Sequence, residues 1–274
     1  MPTTERAGLV TAENVADRLA AVLDDTFARA HARHQAERAA ARDDPYELSP
    51  STLGGCIRQA AYRLAGTPPT NPEPAVPRPG AVSRAALIGT WIHAGMLPVL
   101  AESLDAAGLG PATVETPVTT VFGGYTLTGH ADLVTPELVI DLKTVREYKL
   151  GRIDRRSDSQ RQDGRPDGPV VWPGARWQAG CYALGVHQAR IRAGQMPPRW
   201  IAWPYLDRST GEDRICVEPW TPAFGLEVIE RFRTLAAHAA DPDTAPRNRR
   251  GPGLDLDCDA CPWRDRAWPV PPPQ

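Results

Sequence analysis

The sequence predicts an α/β fold in which helices precede and follow a run of three β-strands. The strands are expected at Val114–Phe122, Tyr125–Val134 and Leu138–Thr144. Gly123 and Gly124 join the first two strands, and a glycine pair between two apolar runs is a strong signal for a two-residue hairpin turn. The three strands are therefore expected to form a meander.

Helices are predicted ahead of this meander. Ser51 is expected to cap a helix over Thr52–Leu64, which Gly66 would close. A second helix is expected from Ser83 to about Leu104. Its apolar side would be formed by Leu87, Trp91, Met96 and Leu100. The segment between these helices, residues 67–79, is rich in proline and is expected to be a loop.

Further elements are expected after the meander. Residues 151–173 show no hydrophobic period and are expected to form a loop. A helix is predicted over Arg176–Arg192, followed by strands at Trp200–Leu206 and Arg214–Glu218. Thr221 and Pro222 are expected to open a last long helix that ends near residue 240.

Two carboxylates and a lysine lie close together along the meander. Asp132 is near the end of the second strand, and the turn at residues 135–137 is expected to bring it beside Asp141 of the third. Asp141 and Lys143 are two residues apart on an apolar strand, so both are expected to project from one face. Convergent carboxylates bind hard cations such as Mg²⁺, and an ammonium stabilises negative charge on a phosphate. An exposed ion pair on an ordinary hairpin is the alternative interpretation.

The use of lysine supports a chemical role for Lys143. The chain has 31 basic residues, yet Lys143 and Lys149 are its only lysines. A lysine retained between carboxylates in an arginine-rich chain favours a requirement for a compact ammonium. The net charge of −2 excludes a globally basic DNA-coating protein. Residues 143–176 nevertheless carry nine basic and five acidic side chains, a local basic surplus next to the candidate site.

The helices on both sides of the meander carry further polar candidates. His93 lies on the preceding helix, and Gln178 and Tyr182 are four residues apart on the following one, so they share a face. This order of motifs resembles the PD-(D/E)XK nuclease superfamily, in particular its RecB-like branch of CRISPR-associated and phage-type exonucleases. Residues 48–63 are similar to the Ser-x-Ser-x-Leu-x-x-Cys-x-Arg motif of that branch. The resemblance covers residues 48–268.

The resemblance implies a restriction-endonuclease-like core, with a mixed central sheet flanked by helices, and a role for each candidate. The implied Mg²⁺ or Mn²⁺ ligands are His93, Asp132, Asp141 and the backbone carbonyl of Leu142. Lys143 would position the attacking water and stabilise the transition state. Gln178 and Tyr182 would bind the DNA strand. His130, two residues before Asp132, could touch the phosphate, although a structural role is favoured for it.

The cysteines are the place where the chain departs from this family. In its iron–sulfur members, one amino-terminal and three carboxy-terminal cysteines hold a 4Fe–4S cluster. Cys56, Cys258 and Cys261 match three of them, but Ala267 stands where the fourth is expected. The alternatives are an incomplete cluster, substitution by Cys216 or a histidine, a zinc site with a non-cysteine ligand, or free thiols. An iron–sulfur centre that joins the two chain ends is the leading expectation. Cys181 is expected to be a small core residue.

These features set expectations for organisation and function. Residues 1–47 are expected to form a helical extension, residues 48–240 the nuclease core and residues 241–274 a tail with the cysteine pair. The expected activity is metal-dependent DNA cleavage, mainly as an exonuclease, on single strands or free ends in recombination, replication or repair. One alternative is a CRISPR adaptation nuclease that works with an integrase partner. Another is a DNA-binding or assembly subunit whose nuclease site has decayed.

The expected location follows from two sequence features. No apolar run approaches the ~20 residues of a membrane span. The amino terminus also lacks the charged-then-apolar order of a signal peptide. A cytoplasmic protein without a membrane partner is therefore expected.

Overall fold

The computed structural model describes residues 14–22, 49–71, 81–122, 124–145, 171–247 and 261–267, with the backbone alone at 81–88 and 90. Most of the expected amino-terminal extension, most of the expected loop at 151–173, Cys258 and the side chain of Leu87 lie outside these residues. In the described helices, none combines the length and the apolar composition needed to cross a membrane.

Helices and strands alternate along the described chain. The helices are α1 (residues 14–22), α2 (Pro50–Gly54), α3 (Ile57–Leu64), α4 (Ala81–Ala106), α5 (Pro173–Arg192), α6 (Pro222–Ala237) and α7 (Arg264–Ala267), with a 3₁₀ turn at Pro242–Thr244. The strands are β1 (Thr113–Phe122), β2 (Tyr125–Val134), β3 (Leu138–Ile140), β4 (Lys143–Val145), β5 (Trp200–Asp207) and β6 (Asp213–Pro219).

The strands form one mixed sheet of six. β1, β2 and β3 pair antiparallel in sequence order, which confirms the predicted meander. β5 pairs in parallel with β3 and then with β4 along one edge, and antiparallel with β6 along the other. The sheet is thus a mixed central sheet flanked by helices, as expected.

Alternate residues of β5 belong to two separate hydrophobic clusters. Ile201, Trp203 and Tyr205 pack with buried residues of α5 and α6, among them Ala179, Val186, Val228 and Phe232. Ala202 and Leu206 pack with buried residues of α1 and α4, among them Val15, Leu19, Met96 and Leu100. The sheet is therefore the middle layer between two groups of helices, and polar residues at its centre are shielded from both sides.

The amino-terminal helix differs from its prediction. The prediction of one helix over Thr52–Leu64 with Ser51 as its cap is wrong, because the chain forms α2, a break at Gly55, and α3. Ser49 is the N-cap of α2, and its N–H donates to the hydroxyl of Thr52 at 3.3 Å. Pro50 is at the first helical position, where a missing N–H costs no helical hydrogen bond.

Helix α4 also differs from its prediction, in length and in one side chain. It runs from Ala81 to Ala106, beyond both predicted ends. Met96 and Leu100 are buried against the sheet as expected, but Trp91 is 54 % exposed. Trp91 is two residues from His93, about 200° around the helix, so it lies on the side away from the sheet while His93 faces it.

Candidate active site

Two buried carboxylates lie side by side on neighbouring strands. Leu133 pairs with Ile140 across β2 and β3, so the preceding residue of β2, Asp132, lies beside Asp141, the residue that follows β3. Asp132 is 8 % exposed and Asp141 is 1 % exposed. Two adjacent buried carboxylates are costly to keep ionised unless a cation or hydrogen-bond donors lie close to them.

The backbone between β3 and β4 supplies one of these donors. The predicted single strand Leu138–Thr144 is interrupted at residues 141 and 142. The N–H of Asp141 still donates to the carbonyl of Ala202 at 3.0 Å, but the N–H of Leu142 donates at 2.7 Å to Oδ2 of Asp132. The interruption therefore connects the two aspartates through one backbone hydrogen bond.

The interruption has a cause in the facing strand. β3 and β4 pair with β5 in one continuous register, which places Leu142 opposite Pro204. Proline has no N–H and cannot donate a ladder hydrogen bond in a central strand. The ladder is therefore weakened where Asp141 and Leu142 leave it, and no feature of residues 138–144 alone reveals this.

Lys143, the first residue of β4, is the cation that faces Asp141. Its Nζ lies 2.9 Å from Oδ1 and 2.7 Å from Oδ2 of Asp141, and it donates at 3.0 Å to Oε1 of Gln178 on α5. The Lys143 side chain is 23 % exposed. The ammonium thus joins the buried carboxylate to solvent and to the neighbouring helix.

Gln178 and Tyr182 continue this chain of hydrogen bonds along α5. Nε2 of Gln178 donates to the hydroxyl of Tyr182 at 3.4 Å, a long hydrogen bond between residues one turn apart. Burial raises the pKa of Tyr182, so its phenol is neutral at physiological pH. A Cβ at Gly129 would lie 2.8 Å from Pro50 and 3.2 Å from the Tyr182 ring, so this glycine lets α2 and Tyr182 approach β2.

His93 reaches the same carboxylates from the other layer of helices. Its Nδ1 lies 3.6 Å from Oδ2 of Asp132. Burial disfavours the charged imidazole, but the hydrogen bond and the negative charge of Asp132 outweigh it and raise the pKa of His93. The structure therefore brings His93, Asp132, Asp141, Lys143, Gln178 and Tyr182 to one place between the helix layers.

The Asp141 carboxyl is the most perturbed acid of the site. Burial raises its pKa to about 6; Lys143 opposes this increase and the charge of Asp132 adds to it. Although Nζ of Lys143 is close to both oxygens, Oδ2 of Asp141 receives no well-aligned hydrogen bond and is fully buried. An anionic Asp141 would therefore be stabilised further by an added positive charge.

The donor set fits a hard divalent cation. Mg²⁺ is commonly bound by one or two carboxylates while it keeps several waters, and Asp141, which has one oxygen without an aligned donor, is next to Asp132 in the sheet. Within the described ranges, however, no three His, Cys, Asp or Glu side chains lie close enough to form a complete protein cage. The arrangement therefore matches an open site, in which waters complete the coordination of the cation, better than a closed structural metal site.

Glu115 is a residue of this neighbourhood that the sequence did not single out. It lies between Val114 and Thr116, which pair with Leu133 and Ala131 on either side of Asp132. Its φ of 46° is the one left-handed backbone of a non-glycine residue in the described chain. Burial raises the pKa of the Glu115 carboxyl, the negative charge of Asp132 adds to this, and His93 and His130 oppose it. A left-handed backbone leaves no trace in a sequence that reads as an ordinary strand.

The expected metal ligands at the chain ends are only partly described. Cys56 is the N-cap of α3, and Cys261 is buried with Tyr62, Trp263 and Ala267 in one cluster. Cys258 lies outside the described residues, so the metal centre remains a prediction. Cys216 is buried within β6. Cys181 belongs to the main core, and burial raises its pKa to about 12.

Comparisons with known proteins give matches in structure alone. No family model matches the chain, and no curated protein matches its sequence. A solved candidate exonuclease from Eubacterium rectale is 14 % identical, with 90 % of this chain and 92 % of that chain covered and a TM-score of 0.45. An alkaline exonuclease from Laribacter hongkongensis is 11 % identical, with 71 % and 88 % covered and a TM-score of 0.41. Its complex with dAMP gives 12 % identity, 71 % and 90 % coverage and a TM-score of 0.40.

Proposed function

We propose that this chain is a metal-dependent deoxyribonuclease of the PD-(D/E)XK type, from the RecB-like branch, that removes nucleotides from DNA ends. One observation carries the proposal: Asp132, the Leu142 backbone, Asp141, Lys143 and Gln178 form a nearly continuous series of contacts at the sheet interruption. Metal-dependent hydrolysis of a phosphodiester uses a bound cation, an oriented water and a positive charge near the phosphate.

The two aspartates would hold Mg²⁺ or Mn²⁺, with His93 and the Leu142 carbonyl as further ligands. When bound, the cation lowers the pKa of a water and polarises the phosphate. The Nδ1 atom of His93 also lies 3.6 Å from Oδ2 of Asp132, and an imidazole this close to a carboxylate ligand helps to fix the orientation of that carboxylate.

Lys143 supplies the positive charge that the protein itself contributes to the reaction. Its ammonium, held by Asp141 and Gln178, orients the attacking water and stabilises the extra negative charge of the transition state. The water oxygen forms a new bond to phosphorus while one phosphorus–oxygen ester bond breaks. One fragment keeps the phosphate and the other leaves with a hydroxyl group.

A cleavage assay tests the proposal. Single-stranded and double-stranded DNA, labelled at either end, would be incubated with Mg²⁺, with Mn²⁺ or with excess chelator. We expect cleavage with either cation and none with chelator, and mononucleotide release from ends would support exonuclease action. His93→Ala should raise the Mn²⁺ concentration needed for half-maximal rate.

The assay also separates the other candidates. DNA binding without cleavage under every cation condition would favour a decayed DNA-binding or assembly subunit. Cleavage that requires a co-purified integrase would favour a CRISPR adaptation nuclease. Cleavage in excess chelator would contradict the metal-dependent mechanism.

A further inference from the structure

A groove beside the site contains hydrogen-bonding groups that the proposed chemistry does not use. It has a volume of about 460 Å³ and lies between α2 and the strands β1 and β2. Hydroxyl side chains line much of it: Ser49, Ser51, Thr52, Thr119 and Thr128. His130 also lines it and is two residues from Asp132 along β2, so the groove leads towards the carboxylates.

Arg63 of α3 supplies a permanent positive charge to this groove. Its guanidinium carbon lies 5.6 Å from the centre of the Trp263 ring, within the range of a cation–π contact. Trp263 is itself fixed: it is 2 % exposed, its ring stacks on Tyr62 at 5.7 Å, and its Nε1 donates to the carbonyl of Thr67 at 2.9 Å. The carboxy-terminal segment, residues 261–267, thus provides a fixed aromatic ring that contacts Arg63.

We propose that Arg63 binds a backbone phosphate of a DNA strand lying in this groove and that Trp263 positions its guanidinium for that contact. The proposal rests on the proposed function, since it names a contact of the same substrate. A guanidinium matches the geometry of a phosphate, and the hydroxyls and His130 are suited to neighbouring phosphate oxygens. Stacking on Trp263 reduces the freedom that the long side chain would lose on binding.

Binding measurements on a short labelled single strand, by fluorescence anisotropy in chelator so that the strand is not cut, test this role. Arg63→Gln should raise Kd about tenfold, the loss expected for one charge-assisted hydrogen bond. It should also reduce the slope of log K against log salt by about 0.7, as for one lost contact to a single strand. Arg233→Gln, which removes an exposed arginine paired with Glu230 on α6, is the matched control and should change neither.

The role of Trp263 is tested in the same assay. Trp263→Leu should raise Kd and add little in an Arg63→Gln background, whereas Trp263→Phe should keep most of the affinity. With cutting allowed, both Arg63→Gln and Trp263→Leu should act on KM more than on kcat. An unchanged Kd and salt slope in folded Arg63→Gln would overturn the proposal. A wild-type protein that binds but never cuts would refute the proposed function and leave this test intact.

A second, independent observation concerns how the carboxy-terminal segment is held. Cys261 and Ala267 pack with Tyr62, whereas Cys56 is six residues before Tyr62, at the opposite end of α3. Six helical residues span about 9 Å along the axis. The buried Ala267 methyl group, beside Cys261 and in the place of an expected ligand, offers no donor to a cluster.

Protein contacts fix this segment instead. The Tyr62 hydroxyl donates to Asp243 at 2.5 Å, and Arg266 pairs with the same carboxylate at 2.7 Å. Asn71 binds the segment through three hydrogen bonds, from its N–H to the Pro262 carbonyl and between its side chain and Asp265. We infer that the segment is closed by this aromatic and polar cluster, and that the described residues Cys56, Cys261 and Ala267 do not complete an iron–sulfur or zinc centre.

Metal content and melting temperature test this inference on the full chain. Protein purified anaerobically should contain neither iron nor zinc in stoichiometric amount, and chelator should leave its Tm unchanged. Tyr62→Ala should lower Tm, while Cys56→Ser, the change that would remove a cluster ligand, should not. About four iron atoms or one zinc per chain, with a Tm that falls on chelation and in Cys56→Ser, would overturn the inference.

Discussion

Asp141 of the candidate site and Asp243 of the carboxy-terminal cluster, which contains Tyr62 and Arg266, differ in burial and in hydrogen bonding. Asp141 is 1 % exposed, and one of its oxygens lacks an aligned donor. Asp243 at the carboxy-terminal cluster has its carboxylate bound by both Tyr62 and Arg266, and its side chain is 45 % exposed. A buried carboxylate with an oxygen that lacks an aligned hydrogen-bond donor indicates a site that can bind a further positively charged group. A fully paired exposed carboxylate indicates a contact that is complete by itself.

The largest expected effect lies at the site. Asp141→Asn and Lys143→Met should each reduce the cleavage rate by at least about 10²–10³-fold, because in the proposed mechanism each of these charges acts directly on the reacting groups. Steady-state rates on end-labelled DNA measure this. Arg233→Gln removes a charge on α6 without touching the site and should retain the wild-type rate.

Circular dichroism and DNA binding separate this effect from misfolding. Both variants should keep the wild-type spectrum and bind the labelled strand within a few-fold of the wild type. Near-normal turnover in either folded variant would show that Asp141 and Lys143 form only a structural ion pair.

The comparison also shows which features the sequence could supply. Asp132, Asp141 and Lys143 were predicted together because strand periodicity places them near each other, and Gln178 and Tyr182 because helical spacing gives them one face. Such local rules could not reveal the strand interruption, which depends on Pro204, far along the chain in β5. They also missed Glu115, whose left-handed backbone has no signal in the local sequence.

The cysteines also show that spacing in the sequence does not reveal contacts between distant residues. Cys56 and Cys261 match a family pattern by spacing, but spacing does not show that Cys261 packs in one cluster with Tyr62 and Trp263. Nor does the position of Asn71 or Asp243 in the sequence indicate that either residue contacts the carboxy-terminal segment. The features that local patterns could not predict therefore depend on contacts between segments that are distant in the sequence.

Glu115 offers a sharper test of strain at the site, with an intermediate expected effect. Glu115→Gly should stabilise the fold by up to about 1 kcal/mol, because it relieves about 1–2 kcal/mol of left-handed backbone strain while the extra freedom of glycine in the unfolded chain costs about 0.5–1 kcal/mol. Thr119→Gly, at another exposed position of β1, is the matched control and should destabilise by about 0.5–1 kcal/mol, as glycine does in an ordinary strand. Urea unfolding at constant m-value measures both changes. If Glu115→Gly destabilised the protein as much as Thr119→Gly, the backbone at residue 115 would not be strained.

The smallest expected effect is a loss of local stability of the carboxy-terminal cluster at acidic pH. Hydrogen bonds from Arg266 and Tyr62 hold the pKa of Asp243 below its ordinary value. A carboxyl whose pKa is depressed by folding contributes stability that is fully present above its unfolded pKa, about 3.9, and is lost as pH falls through the folded value. Amide hydrogen exchange at residues 261–267 should therefore speed up below about pH 4 relative to the core strand β5. Asp243→Asn should show the faster exchange already at neutral pH, with no further change specific to this segment on acidification. Equal acid sensitivity of the segment in Asp243→Asn and in wild-type protein would assign the effect to other carboxylates.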